Sequence, residues 1–132
     1  MSGQIGGQVV GRGSNLPPVV AGSFALVNGT GSWGTGPSLA VATGWEHGTS
    51  KGFRITVTYG TSPSAGLGTV VLTFPEGAIQ RRRVYQIRQN GGNASTQTPF
   101  WTSTTTTLTI THTLSSPVAG QTLSFEAIGV DP

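Results

Sequence analysis

The sequence predicts an all-β domain, an antiparallel β-sandwich of jelly-roll-like form preceded by an extended N-terminal arm. Three observations carry that prediction. Short runs rich in β-branched residues recur at roughly 8–15-residue intervals, separated by Gly and Pro turn signals. Several runs alternate apolar and polar residues with period two. No segment sustains the 3.6-residue apolar period of an amphipathic helix.

Residues 1–20 read as the arm, and residues 21–132 as the sandwich. "GQIGGQVVGRGSNLPPVV" is Gly-rich and ends in a Pro-Pro pair that favours extended, polyproline-like geometry. Such a segment buries no face by itself. Its apolar residues Ile5, Val9, Val10, Leu16, Val19 and Val20 favour docking into a groove or onto a sheet edge of a neighbouring subunit.

The strands follow in order. "SFALVNGTG" is a strand closed by the turn dipeptide Asn28-Gly29. "SLAVATG", after the turn "GTGP", is the second. "GFRITVTYG" puts Phe53, Ile55, Val57 and Tyr59 on one face and Arg54, Thr56 and Thr58 on the other. "TSPSAGLG" reads as a loop leading into "TVVLTF", with Val70, Leu72 and Phe74 inward. "RRRVYQIRQ" alternates more weakly, turning either Tyr85 and Ile87 or Val84 to the core, and "NGGNASTQTP" is a polar loop. In "FWTSTTTTLTITHTL" the period places Leu108, Ile110, His112 and Leu114 on one face and Thr107, Thr109, Thr111 and Thr113 on the other. A mucin-like stalk would not keep that period and would be richer in Pro, so the Thr-rich run is a strand with a hydroxyl outer face. "SSPVAGQ" turns the chain, and "TLSFEAIGV" closes it with Leu123, Phe125 and Ala127 inward.

Composition bounds the function. Of the 132 residues only 8% are charged, against about 25% in ordinary soluble domains, so hydroxyls rather than charges solvate the surface. The net charge of +3 rests on seven Lys and Arg against four Asp and Glu, with three of the basic residues consecutive at Arg81–Arg83. A single Lys and one Arg run are not the spread basic face of a nucleic-acid binder. Without Cys there is neither a disulfide framework nor a thiolate metal site. The N-terminus lacks the charged and apolar regions of a signal peptide, and no apolar run spans a bilayer, so synthesis in the cytoplasm without membrane insertion is expected.

The ordered series "GTSKGFRITVTYGTSPSAGLGTVVLTFPEG", "FWTSTTTTLTITHTL" and "SSPVAGQTLSFEAIGV" resembles a β-domain recurrent in bacteriophage virion surface proteins, over roughly residues 38–130. The resemblance implies a sandwich that assembles as a homotrimer, does structural or adhesive work and needs no cofactor. A chain with so short an arm resembles a head-decoration protein, or else a small minor tail subunit that would bind a host-surface receptor or glycan, more than a tail-fibre terminal domain. The partners implied are other copies of itself and the major capsid protein or tail proteins of the particle, with location on the virion surface.

Candidate sites follow from the residues. Acids are scarce, and Asp131 sits beside the C-terminus, poorly placed for a Ser-His-Asp relay, so no catalytic role is expected. The adjacent residues Trp45, Glu46 and His47 point to alternate sides and suit a loop rather than a metal site. Ile5, Val9, Val10, Arg12 and Leu16 of the arm, with Arg81, Arg82 and Arg83, are the candidates for docking on the particle; a solvated, charge-protected sheet edge is the plainer role for the Arg run. Trp33, Phe100 and Trp101 are candidates for contact with a host-surface glycan or with a neighbouring subunit, and burial or intersubunit packing is the commoner role for such residues. His112, inward by alternation, suits a core or interface position, and stacking of three copies at a trimer axis would make trimers fail below pH ~6.

Overall fold

The computed structural model describes residues 16–42 and 48–132. After a 3-10 turn at Ala21–Ser23 come eight strands: β1 (Phe24–Asn28), β2 (Ser38–Val41), β3 (Gly52–Thr58), β4 (Gly66–Thr73), β5 (Val84–Gly92), β6 (Phe100–Ser103), β7 (Thr107–Leu114) and β8 (Thr122–Val130). They form two four-stranded antiparallel sheets, ordered β1-β4-β7-β6 and β2-β3-β8-β5, packed as a sandwich. The β2–β3 and β6–β7 connections stay within a sheet, and every other connection crosses between sheets.

Period-two alternation sets the core. Across the first sheet, Phe24, Leu72 and Leu108 form one inward rung and Leu26, Val70, Ile110 and Trp101 the next. Across the second, Ile55 faces Phe125 and Val57 faces Leu123. The inward residues of the four central strands β3, β4, β7 and β8 are almost wholly removed from water. Burying each such aliphatic or aromatic side chain is worth about 1.5–3 kcal/mol, so these strands hold most of the stability.

Three boundaries differ from the sequence reading. The Thr-rich run is two strands: β6 and β7 form a hairpin turned at residues 104–106, where Thr104 Oγ1 accepts the N–H groups of Thr106 (3.1 Å) and Thr107 (3.0 Å). A Thr hydroxyl that captures nearby backbone donors stabilises a turn in competition with the ladder. Strand β4 begins at Gly66, inside the expected loop, because it pairs with β1 and β7 along its length. Strand β5 likewise runs on to Gly92, through a register shift between Gln89 and Gly91. Of the two orientations open for β5, Tyr85 is buried and Val84 exposed.

The end of the arm is sewn into the domain. Val19 is buried and its N–H donates to the Gly48 carbonyl at 2.9 Å, while Pro18 bridges to Thr49.

Candidate functional site

Trp33 lies in the β1–β2 connection and plugs one end of the sandwich. Its indole N–H donates to the carbonyls of Val27 (3.0 Å) and Thr69 (3.1 Å), and its backbone N–H to Asn28 Oδ1 at 2.9 Å. The ring lies 5.8 Å from that of Tyr59 and covers Gly68, where a Cβ would stand 2.8 Å from the indole. Only 1% of Trp33 is exposed, so it is withdrawn from any glycan or subunit contact; a buried indole with its N–H satisfied twice is a structural plug.

The opposite end holds a polar cluster built on Arg83, which is 3% exposed. Arg83 Nη2 donates to Glu76 Oε2 at 2.9 Å, Nη1 to Ser50 Oγ at 2.7 Å and Nε to Asp131 Oδ1 at 3.1 Å. The guanidinium also lies 5.1 Å above the Phe74 ring. The Ser50 hydroxyl in turn donates a hydrogen bond to Glu76 Oε2, and the Tyr85 hydroxyl donates to the Ser50 carbonyl at 2.7 Å. Burial pushes the Tyr85 phenol above its ordinary pKa. Lys51, 2.7 Å from Asp131 Oδ2, and then Arg83 hold the Asp131 carboxyl below the ordinary range. Glu76 Oε1 is buried with no hydrogen-bond partner.

This cluster corrects the reading of the Arg run. Arg83 is an internal cation with a fork of carboxylate and hydroxyl acceptors, so it cannot meet a particle surface. The signal was present in the sequence: Arg83 is in phase with Tyr85 and Ile87, the inward parity of β5. Arg81 and Arg82 precede the strand and are exposed.

Among the described residues, every carboxylate side chain is engaged. Glu76 pairs with Arg83, Asp131 with Lys51 and Arg83, and Glu126 with Arg54 (3.1 Å) and Arg88 (2.9 Å) on the outer face of the second sheet. Arg88 first and Arg54 next keep the Glu126 carboxyl below its usual range. Arg81 and Arg82 make no ion pair with another described residue, so most of the excess positive charge of the described domain falls on them.

Strand β6 runs alongside β5 at the seam between the sheets. Ser103 Oγ donates to the Arg83 carbonyl at 2.8 Å, and Trp101 packs edge-on against Tyr85, ring centroids 5.9 Å apart. Trp101 is half-buried, whereas Phe100 is 67% exposed on the outer face of the first sheet. A groove of about 470 Å³ opens between Arg82, Val84, Trp101 and Thr102; a second, of about 480 Å³, opens beside Arg81 and Ile79.

His112 corrects the trimer-axis expectation. It is 1% exposed, lies between the sheets and meets the Phe125 ring edge-on at 5.4 Å. Its Nδ1 is buried without a hydrogen-bond partner, and burial lowers its pKa from 6.5 to about 4. A side chain enclosed within one subunit cannot stack on copies from others.

Leu16 is half-buried. Ile5, Val9, Val10 and Arg12, and the triplet Trp45–Glu46–His47, lie outside the described residues. No group of three His, Asp or Glu able to hold a metal occurs among the described residues, and no helix there is long and apolar enough to cross a membrane.

Comparison with protein-family models, with curated proteins and with solved structures returned no match.

Proposed function

We propose that this chain is a non-enzymatic structural subunit of a bacteriophage virion, a head-decoration sandwich that assembles with copies of itself and attaches to the particle through residues 1–15 of its arm. The single observation that carries the assembly is the outer face of the β1-β4-β7-β6 sheet. Two outward rungs cross all four strands: Ala25–Val71–Thr109–Thr102 and Val27–Thr69–Thr111–Phe100. Neither rung holds a charge, and Val27 (45%), Leu67 (39%) and Phe100 (67%) stand exposed on that face. The other sheet carries the Arg54–Glu126–Arg88 rung on its outer face. Depletion of charge, with exposed apolar and β-branched side chains, is the composition of a protein contact rather than of a solvated sheet. The resemblance to virion surface domains, in which such sandwiches trimerise, adds the partner and the setting.

The reading has two tests. Sedimentation should give a trimer for the native chain and a monomer for Thr109→Lys/Thr111→Lys, with unchanged circular dichroism. A monomeric native chain, or variants that still trimerise, would remove the assembly claim. Because Leu16–Val19 already belong to the folded domain, deletion of residues 2–15 leaves the sandwich intact and should abolish incorporation into particles. Normal incorporation would refute attachment by the arm.

A further inference from the structure

We infer that the Arg81–Arg82 segment, with the grooves on its two sides, is a binding site for an anionic saccharide. The inference does not depend on the assembly proposed above. It begins from charge. Every acidic side chain of the described domain is neutralised by a partner, and Lys51, Arg54, Arg83 and Arg88 are spent on them. Of the described basic residues, Arg81 and Arg82 alone are exposed with no ion pair to another described residue. In a chain so sparing of charge, two adjacent uncompensated guanidinium groups are a local concentration of donors shaped for carboxylate or phosphate.

The surroundings supply the remainder of a sugar site. Arg82 opens onto the groove that Trp101, Val84 and Thr102 line, and Arg81 onto a groove that Ile79, Gln80 and Asp131 line, the Asp131 carboxylate being already paired with Lys51 and Arg83. An indole and a valine offer an apolar wall to the C–H face of a sugar ring, the Thr102 hydroxyl offers hydrogen bonds to its hydroxyls, and the guanidinium takes its acid group. The wall is firm: Trp101 is held edge-on by buried Tyr85, and Arg83, between the two arginine-lined grooves, is fixed by three side-chain acceptors. The wall sits on β5 and β6, which limits the ordering cost of binding, while Arg81 and Arg82 lie in the segment just before β5.

Size and charge separate the saccharide from other anions. Grooves of about 470 and 480 Å³ fall within the range of small-ligand sites. Two cations release too few counterions for useful nucleic-acid affinity.

The test titrates the full chain, by calorimetry and by the Trp101 indole N–H resonance, with oligogalacturonate as the carboxylate probe and a glycerol-phosphate teichoic acid as the phosphate probe. Neutral dextran and poly-glutamate serve as comparisons. The expected result is saturable binding of at least one acidic sugar polymer, weakened at least tenfold by Arg82→Gln and weakened further in Arg81→Gln/Arg82→Gln. Arg88→Gln, on the outer face of the second sheet, should leave it unchanged. The tighter of the two probes identifies the acid group. Absence of binding to both, equal binding by Arg82→Gln, or poly-glutamate binding as tightly as the sugars would overturn the inference, the last by making the site a contact for acidic protein. Both arginines are exposed, so their replacement leaves the fold intact.

Discussion

His112 should make the stability of this domain fall with acid over a defined range. The perturbation is His112→Leu, which keeps a comparable volume between the sheets and removes the titrating ring. In the folded chain the imidazole resists protonation because burial penalises the cation, taking its pKa from 6.5 to about 4. Below pH 6.5 the unfolded chain therefore binds a proton that the folded chain does not, and the equilibrium shifts towards unfolding. At about 1.4 kcal/mol per pH unit between the two values, the cost reaches about 2 kcal/mol near pH 5 and levels off at about 3 kcal/mol below pH 4. Above pH 7 the term vanishes, and the variant should match or exceed the native chain, since Nδ1 has no hydrogen bond to lose. Urea unfolding of both proteins at pH 7.5, 6, 5 and 4 measures the difference, and carboxylate titration cancels in it. Parallel stability profiles for the two proteins, or an NMR pKa for His112 near 6.5, would show that the ring is not enclosed as described.

The Arg83 cluster and the Trp33 plug give three further expectations. Arg83→Met should cost about 3 kcal/mol by chemical denaturation, because it strands the Glu76 carboxylate beside Ser50; a loss below about 1 kcal/mol would mean the cluster is solvated. Asp131→Asn, at a side chain 58% exposed, should shift stability by no more than about 0.5 kcal/mol in the same assay, and a larger loss would contradict its solvent-screened geometry. Gly68→Ala places a methyl 2.8 Å from the Trp33 ring and should cost about 1–3 kcal/mol in thermal unfolding, with altered Trp fluorescence; an unchanged Tm would show that the plug has room to shift.

Much of the fold was legible because its central strands alternate cleanly. The inward sets of β3, β4, β7 and β8 could be read from Phe53–Tyr59, Val70–Phe74, Leu108–Leu114 and Leu123–Ala127, and the structure buries them. The hairpin inside the Thr-rich run was not legible, because Thr suits both a strand and the hydroxyl-capped turn that divides this one. Which of its open roles Trp33 takes, buried or exposed, was not legible for a related reason. "GSWGTG" has every local mark of an exposed loop, and only the approach of β4, with Gly68 lying beneath the indole, makes the position an interior one.

What the sequence determined by itself is the period-two core and the shortage of charge, both of which are local or additive properties of the chain. Only the tertiary structure decided which charges are spent and which are left over. The partners of Arg83 lie 33 residues away at Ser50 and 48 away at Asp131, and packing brings them together. Consecutive arginines are chemically identical in the sequence. They part company when Arg83 falls on the inward parity of β5 and is enclosed with Glu76, while Arg81 and Arg82, before the strand begins, stay exposed with no described carboxylate paired to them.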